Sequence, residues 1–243
     1  MTRLLVPYHL DEYRPDLTVP VDAAIAVDLP QGDTWARLAH LYGSVARAVA
    51  LSPRPVVYSG DCTTSLGTVA GLQRAGVDPS IVWFDGHGDV QTLETTASGY
   101  LGGMPLRLLV GYRPELVARS LGLRPVAESD VVLVDARDLD PPEVEYLRAS
   151  AIRRCAVADV SPETLPDKPI YLHVDLDVVD PEDLPGLLFP APGGPSLAAV
   201  LDAVGRVLAT GRVAAVGIGC TWRPESGAFA SVGPLLDAML AGW

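Results

Sequence analysis

Short runs of Val, Ile and Leu alternate with segments of helical spacing along this 243-residue chain, and this alternation most limits how it can fold. The apolar runs predict strands at residues 4–6, 23–27, 55–58, 80–84, 131–134, 154–157, 170–174 and 213–218. The periodic segments predict helices at 34–51, with Asp33 or Thr34 as N-cap, and at 63–75, 141–151, 197–209 and 232–240. Continuous apolar strands are typical of a parallel sheet covered by helices on both faces. We therefore predict an α/β fold with a mostly parallel central sheet, in one domain over residues 1–243.

The charge balance and the cysteines argue against several classes of partner and site. The net charge of −12, from 18 basic and 30 acidic residues, disfavours nucleic acid or an anionic membrane as the main partner. No apolar run reaches the roughly 18 residues of a membrane span, and the first residues lack the apolar core of a signal peptide. Cys62, Cys155 and Cys220 are an odd number, so no disulfide framework is expected. We expect a cytoplasmic protein that acts on a small molecule.

Acidic and metal-binding side chains follow several predicted strands directly. In parallel sheets, ligands bind beyond the carboxyl ends of the strands. The polar groups at these ends are Asp61 and Cys62, then Asp85 to Asp89, then Asp138 and Asp140, then Asp175 to Asp180. The sequence therefore predicts that four strands direct potential ligands to one edge of the sheet.

The densest of these groups is Asp85-Gly86-His87-Gly88-Asp89. If the chain stays extended there, Asp85, His87 and Asp89 share a face and can converge on one cation. Carboxylate and imidazole donors suit Mn, Zn, Fe or Co. A plain polar loop is the alternative, because so short a pattern arises by chance.

A second pair of carboxylates, Asp175 and Asp177, stands two residues apart and is also predicted to share a face. Together with Asp85 they could bridge two divalent cations, which would generate hydroxide at neutral pH. Clustered carboxylates repel one another strongly without such cations. For Asp180 we favour a structural turn before Pro181 over a role as ligand.

Four motifs resemble the arginase/agmatinase (ureohydrolase) superfamily and occur in the family's order. Asp85 to Asp89 resembles its D-A-H-x-D signature, and residues 173–181, His-Val-Asp-Leu-Asp-Val-Val-Asp-Pro, resemble its S-x-D-x-D-x-x-D-P signature. Residues 60–63 stand where the family has G-G-D-H-S, and residues 137–141 look like its R-D-V-D-P segment. Residues 94–96 and 99–104 look most like a subgroup, the Nω-hydroxy-L-arginine amidinohydrolase of cycloserine biosynthesis, which also has cysteine at the first ligand position.

This resemblance implies an arginase-like three-layer α/β/α fold and a centre of two divalent ions, with Mn²⁺ expected. One ion would be held by Cys62, Asp85, Asp89 and Asp175, and the other by His87, Asp85, Asp175 and Asp177. A bridging hydroxide, oriented by Asp89, would attack a guanidine or amidine carbon and release urea or an analogue. The substrate-binding residues implied are Gln91, Thr96, Ser98 and Asp140. Family members are commonly trimers or hexamers, which leaves a homo-oligomer open.

Three departures from the family pattern affect the expected chemistry. Cys62 replaces a histidine, and its soft thiolate makes Zn, Fe or Co alternatives to Mn²⁺; the alternative is a small buried cysteine that binds nothing. Gly102 stands where arginases have a proton-shuttle histidine. The segment 217–224 lacks the glutamate that holds a guanidinium, and Glu225 is out of register. We therefore expect an altered substrate, with a catalytically inactive binding or assembly protein as the alternative.

Overall fold

The computed structural model describes residues 1–223, together with 226, 233–234, 236–238, 240 and 243. Ten strands are formed by these residues, and eight of them make one continuous sheet. The strands are β1 (Thr2–Val6), β2 (Tyr8–His9), β3 (Glu12–Tyr13), β4 (Ala23–Ala24), β5 (Pro55–Ser59), β6 (Ser80–His87), β7 (Val131–Asp138), β8 (Arg153–Cys155), β9 (Ile170–Asp175) and β10 (Val213–Gly219). The strands β2 and β3 form a separate antiparallel pair.

The sheet has the strand order β4-β1-β5-β10-β9-β6-β7-β8. Each pairing within it is parallel, which confirms the predicted parallel sheet. The last strand, β10, lies between β5 and β9 rather than at an edge. The carboxyl ends of β5, β10, β9, β6 and β7 consequently lie side by side.

Six helices connect the strands: α1 (Thr34–Leu51), α2 (Ser65–Arg74), α3 (Pro105–Leu109), α4 (Ala118–Leu121), α5 (Pro141–Ala149) and α6 (Leu197–Ala209). Helix α1 has the predicted bounds, and Asp33 caps it by accepting a hydrogen bond from the Ala36 N–H at 2.9 Å. Helix α2 begins later than predicted because Cys62–Thr64 form a 3₁₀ turn, which is held by the Asp61 carboxylate. The described residues within 232–240 are helical.

Two hydrophobic cores lie on the two faces of the sheet, so the layers follow the order helix, sheet, helix. One core contains the buried sides of α1 and α2, and the other contains that of α6. Strand β6 contributes to both, because Trp83 points into the first core and its neighbour Phe84 into the second. Among the described residues, no helix is long and apolar enough to cross a membrane.

Candidate metal centre

A cleft of about 400 Å³ opens at the carboxyl ends of the central strands. All ten site residues predicted from the sequence line it: Cys62, Asp85, His87, Asp89, Gln91, Thr96, Ser98, Asp140, Asp175 and Asp177. Each comes from the end of a strand or the segment that follows, so the parallel sheet brings them to one edge. Their roles as ligands and substrate-binding groups stay predictions.

The end of β6 supplies three of the acidic and imidazole groups. Nδ1 of His87 lies 3.1 Å from Asp177 Oδ2 and 3.5 Å from Asp85 Oδ1. The chain does not stay extended through Asp89, because Asp89 adopts a left-handed backbone with a φ of 55° after the strand has ended. Asp89 still faces the cleft, and its Oδ2 is buried with no hydrogen-bond partner among the described residues.

The end of β9 supplies the other carboxylates, and here the backbone also differs from the expectation. Asp175 ends the strand, and its Oδ1 accepts a hydrogen bond from the Asp177 N–H at 2.9 Å. The chain therefore turns between the two residues instead of staying extended, yet both side chains reach the cleft. The thiol of Cys62 donates to Asp175 Oδ2 at 2.7 Å, which places the sulfur among the carboxylates.

Two groups of potential metal-binding atoms form in this region, and they share one carboxylate. In each group the atoms lie within 4.8 Å of one another, the first combining Cys62, Asp85 and His173 and the second Asp85, His87 and Asp177. Sequence reasoning missed His173 as a ligand candidate. Its position two residues before Asp175 in a strand was the available signal, since alternate side chains share a face.

Burial and mutual repulsion dominate the electrostatics of this group of residues. Burial, followed by neighbouring carboxylates, raises the pKa values of Asp89 and Asp175, and raises that of Asp177 to about 6. Burial opposes the protonation of His87, but Asp177 and Asp85 outweigh it and raise the pKa of His87 to about 12. For Asp85, burial is likewise outweighed by His87, and the pKa falls below its usual value. A bound cation would favour the ionised carboxylates.

We expect Asp177 to make the metal-free protein lose stability as the pH rises from about 4 to about 6. Carboxyl groups with raised folded-state pKa values stabilise the fold below their ordinary pKa near 3.9, and this stability is lost as the pH rises through about 6 for Asp177. Calorimetry with a chelator should show a fall of several degrees, since about 1 kcal/mol shifts the melting temperature by roughly 2–4 °C. Asp177→Asn should flatten the dependence of the melting temperature on pH. An unchanged slope in this variant would show that repulsion between surface charges causes the dependence instead.

At the opposite side of the cleft lie the predicted substrate-binding residues. The Gln91 side-chain amide donates to Asp140 Oδ2 at 2.7 Å, whereas Thr96 and Ser98 lie at the exposed rim. Glu143 also lines the cleft and was not predicted. Its two oxygens accept the backbone N–H groups of Val90 and Asp140, at 3.2 and 3.1 Å, so it holds these segments together.

The ring of Tyr100 fills the space beside Gly102. A Cβ on Gly102 would overlap the Tyr100 ring and hydroxyl, so a larger residue at 102 requires this ring to move. The Tyr100 hydroxyl lies 3.2 Å from His9 Nε2, and His9 Nδ1 lies 2.9 Å from Gly60 O. Sequence reasoning missed Tyr100 and His9 because they are 91 residues apart and only the fold makes them neighbours.

Asp180 makes the structural turn that we favoured. Its carboxylate accepts backbone N–H groups of Glu182 and Gly194, at 2.9 and 2.8 Å, outside the cleft. Nearby, the Arg137 guanidinium donates to the carbonyl oxygens of Val178 and Ala191. These contacts hold the loop after β9 against β7. Glu225, the alternative partner for a guanidinium, lies outside the described residues.

Comparisons with known proteins agree with this architecture. The chain is 35% identical over 153 residues to an arginase of Bacillus subtilis, covering 58% of this chain and 52% of the relative. It is 36% identical over 134 residues to an N(omega)-hydroxy-L-arginine amidinohydrolase of Streptomyces lavendulae, covering 54% and 47%. The chain thus spans about half the length of these curated relatives.

A solved structure of the arginase from Bacillus caldovelox has the same fold. It superposes with a TM-score of 0.84 at 24% identity, covering 100% of this chain and 99% of that one. The model of the arginase family matches residues 3–219, from β1 to the end of β10. By this match across the sheet and all of the predicted ligands, the chain belongs to the arginase family.

Proposed function

We propose that the protein is a metal-dependent hydrolase that cleaves a C–N bond in a small guanidino, hydroxyguanidino or related amidine compound. The observation that carries the proposal is the pair of ligand groups sharing Asp85 at the floor of the cleft. Membership of the arginase family supports the reaction class. The cytoplasmic location and a homo-oligomeric state stay predictions from the sequence.

The donor set fits two divalent cations. Asp89 Oδ2 is buried without a partner among the described residues, and Asp85, Asp175 and Asp177 are also buried beside it. Holding so many carboxylates together is costly unless cations neutralise them. We assign Cys62, Asp85, Asp89 and Asp175 to one ion and His87, Asp85, Asp175 and Asp177 to the other. When bound, two such ions supply an activated water as the nucleophile at neutral pH.

The residues around the centre would orient the substrate. We place the carbon to be attacked beside Asp89, whose free oxygen accepts a hydrogen bond from the attacking water and directs it. The Asp140 carboxylate, already fixed by Gln91, would bind an ammonium group at the far end of the substrate. The hydroxyls of Thr96 and Ser98, which lie 3.4 Å apart at the rim, would donate to a carboxylate.

We assign protonation of the leaving nitrogen to Tyr100. Water would add to the central carbon and give a proton to Asp89, which releases it to solvent; the C–N bond would then break as the Tyr100 hydroxyl passes its proton to the departing amine. His9 Nε2, 3.2 Å away, would then relay a proton from solvent to the Tyr100 oxygen. Burial, and then the nearby acids, raise the pKa of Tyr100, so the phenol enters the reaction protonated. Tyr100 and His9 would thus take over proton transfer from the histidine whose position Gly102 occupies in this chain.

A hydroxyguanidine is the expected better substrate than a guanidine. The described residues from 217 to 223 include no acid, and Thr221 is the residue of this segment that lines the cleft. A guanidinium without a carboxylate partner loses about 1.5–3 kcal/mol, whereas the less basic hydroxyguanidine depends less on that contact. The structure thus gives the cleft no acid from β10 to hold a full positive charge.

The test is a substrate panel on protein loaded with metal, using Nω-hydroxyarginine, arginine, agmatine, guanidinobutyrate and formiminoglutamate. We expect kcat/KM for Nω-hydroxyarginine to exceed that for arginine by roughly 10- to 100-fold. The same preparation treated with chelator is the matched control and should be inactive. Turnover of none of these compounds at full metal occupancy would favour the alternative, a binding or assembly protein.

A further inference from the structure

The imidazole of His173 is buried beneath the candidate metal centre and has an unsatisfied nitrogen. Its exposed fraction is 1%, and its ring stacks on Trp83 with a centroid distance of 3.7 Å. Nδ1 lies 3.1 Å from Ser65 Oγ, but Nε2 has no hydrogen-bond partner among the described residues. Burying a polar nitrogen without a partner is destabilising, so a partner at Nε2 is expected.

Metal-binding atoms lie close to the His173 ring. A ring nitrogen of His173, the Cys62 sulfur and an Asp85 oxygen lie within 4.8 Å of one another. Two donors bound to the same zinc ion are at most about 4–4.6 Å apart, because Zn–N and Zn–S bonds measure roughly 2.0–2.3 Å. The three atoms therefore need little movement to bind one cation. Asp175 Oδ2, 2.7 Å from the Cys62 sulfur, stands as a fourth donor.

We propose that His173 Nε2 is a further ligand of the first ion, beside Cys62, Asp85, Asp89 and Asp175, and that these residues form a zinc-type site. The proposal rests on the proposed function, which requires that the cleft binds two cations. Thiolate and imidazole donors favour Zn²⁺, whereas the second group, Asp85, His87 and Asp177, has mostly oxygen donors and suits Mn²⁺. Asp85 belongs to both groups and would join a zinc ion to a manganese ion.

The hydroxyl groups behind the ring complete this arrangement. We assign the ring proton to Nδ1, which then donates to Ser65 Oγ and leaves the Nε2 lone pair free for a cation. Ser65 Oγ in turn lies 2.8 Å from the Tyr171 hydroxyl. Such an outer hydrogen bond fixes the tautomer of a metal-binding histidine. On metal binding, the Cys62 thiol gives up the proton that it now donates to Asp175.

Two substitutions in this chain, relative to the family motifs, complement each other. The family pattern has histidine where this chain has Cys62, and serine where it has His173. In this chain the imidazole therefore comes from strand β9 instead of the turn after β5. An imidazole is retained for the first ion, and a thiolate is added to it.

The experiment measures metal binding, independently of activity. Wild-type protein dialysed against equal concentrations of Zn²⁺ and Mn²⁺ should hold about one of each per chain by elemental analysis. His173→Asn keeps an amide near Nδ1 to reach Ser65 but removes Nε2. We expect this substitution to lower Zn²⁺ affinity by more than about 100-fold and to leave Mn²⁺ affinity unchanged. Loss of an outer hydrogen-bond partner alone lowers metal affinity by only about 10- to 100-fold. His40→Asn, at an exposed histidine, is the matched control and should bind both ions normally.

A second variant keeps the test decisive if His173→Asn does not fold. Ser65→Ala removes the partner of Nδ1 without altering the ring and should lower Zn²⁺ affinity roughly tenfold. In protein loaded with Co²⁺, the same variant should shift the visible absorption bands of the ion. Two bound ions in the wild type with unchanged Zn²⁺ affinity in the variants would overturn the ligand role of His173. A wild type that binds neither ion would instead overturn the proposed function.

Discussion

Asp175→Asn is expected to abolish tight binding of at least one cation and to lower kcat/KM by at least about 1,000-fold. Asp175 is, with Asp85, one of the two carboxylates that we assign to both ions, and activation of water by bound metal contributes several kcal/mol to catalysis. The substitution is nearly isosteric. Its remaining oxygen can keep the hydrogen bond from the Asp177 N–H, which measures 2.9 Å in the wild type. The measurements are metal content and steady-state kinetics on the preferred compound of the substrate panel.

The melting temperature of the same variant distinguishes loss of metal binding from loss of folding. Asp175 is buried among like charges, which raise its pKa, so removing its charge should leave the metal-free protein at least as stable as the wild type. The rise in melting temperature on adding metal should disappear. Asp202→Asn, at an exposed aspartate of α6, is the control and should retain activity and binding. Full activity of Asp175→Asn would refute the assignment of Asp175 to the centre.

Tyr100→Phe is expected to lower kcat by about 100-fold while KM changes little. General acid catalysis typically contributes 10²- to 10⁴-fold, and phenylalanine removes the transferable proton while keeping the ring. The ring contacts with His9 and Phe189, at centroid distances of 5.7 and 4.8 Å, should survive, so the cleft keeps its shape. Kinetics on metal-saturated enzyme give the two parameters separately.

The dependence on the leaving group tests the role of Tyr100 more directly. If Tyr100 protonates the departing amine, its loss should matter less for a substrate whose leaving group is a weaker base. His9→Asn should lower kcat in the same direction, because His9 resupplies the proton through the 3.2 Å contact. Tyr13→Phe, at a largely exposed tyrosine, is the matched control. If Tyr100→Phe lowers kcat equally for substrates with good and poor leaving groups, Tyr100 positions the substrate and does not protonate the leaving amine.

The sequence by itself determined the layered α/β fold and the neighbourhood of the centre. Runs such as residues 81–84 are apolar at every position because a central parallel strand is buried on both faces, so local composition reports the fold. Polar residues directly after these strands, such as Asp85 and Asp175, must gather at one edge once the strands are parallel. These local patterns, together with the resemblance to the arginase/agmatinase superfamily, predicted ten candidate residues, and all ten line one cleft.

Only the tertiary structure decided which atoms face one another within that cleft. The left-handed turn at Asp89 and the turn from Asp175 to Asp177 depend on packing and backbone hydrogen bonds that a two-residue period does not encode. The contact of Tyr100 with His9, and the unpartnered nitrogen of His173 beside Cys62, join segments far apart in the chain. Sequence patterns report burial along one strand. The order of the strands, with β10 between β5 and β9, is set only by the tertiary structure.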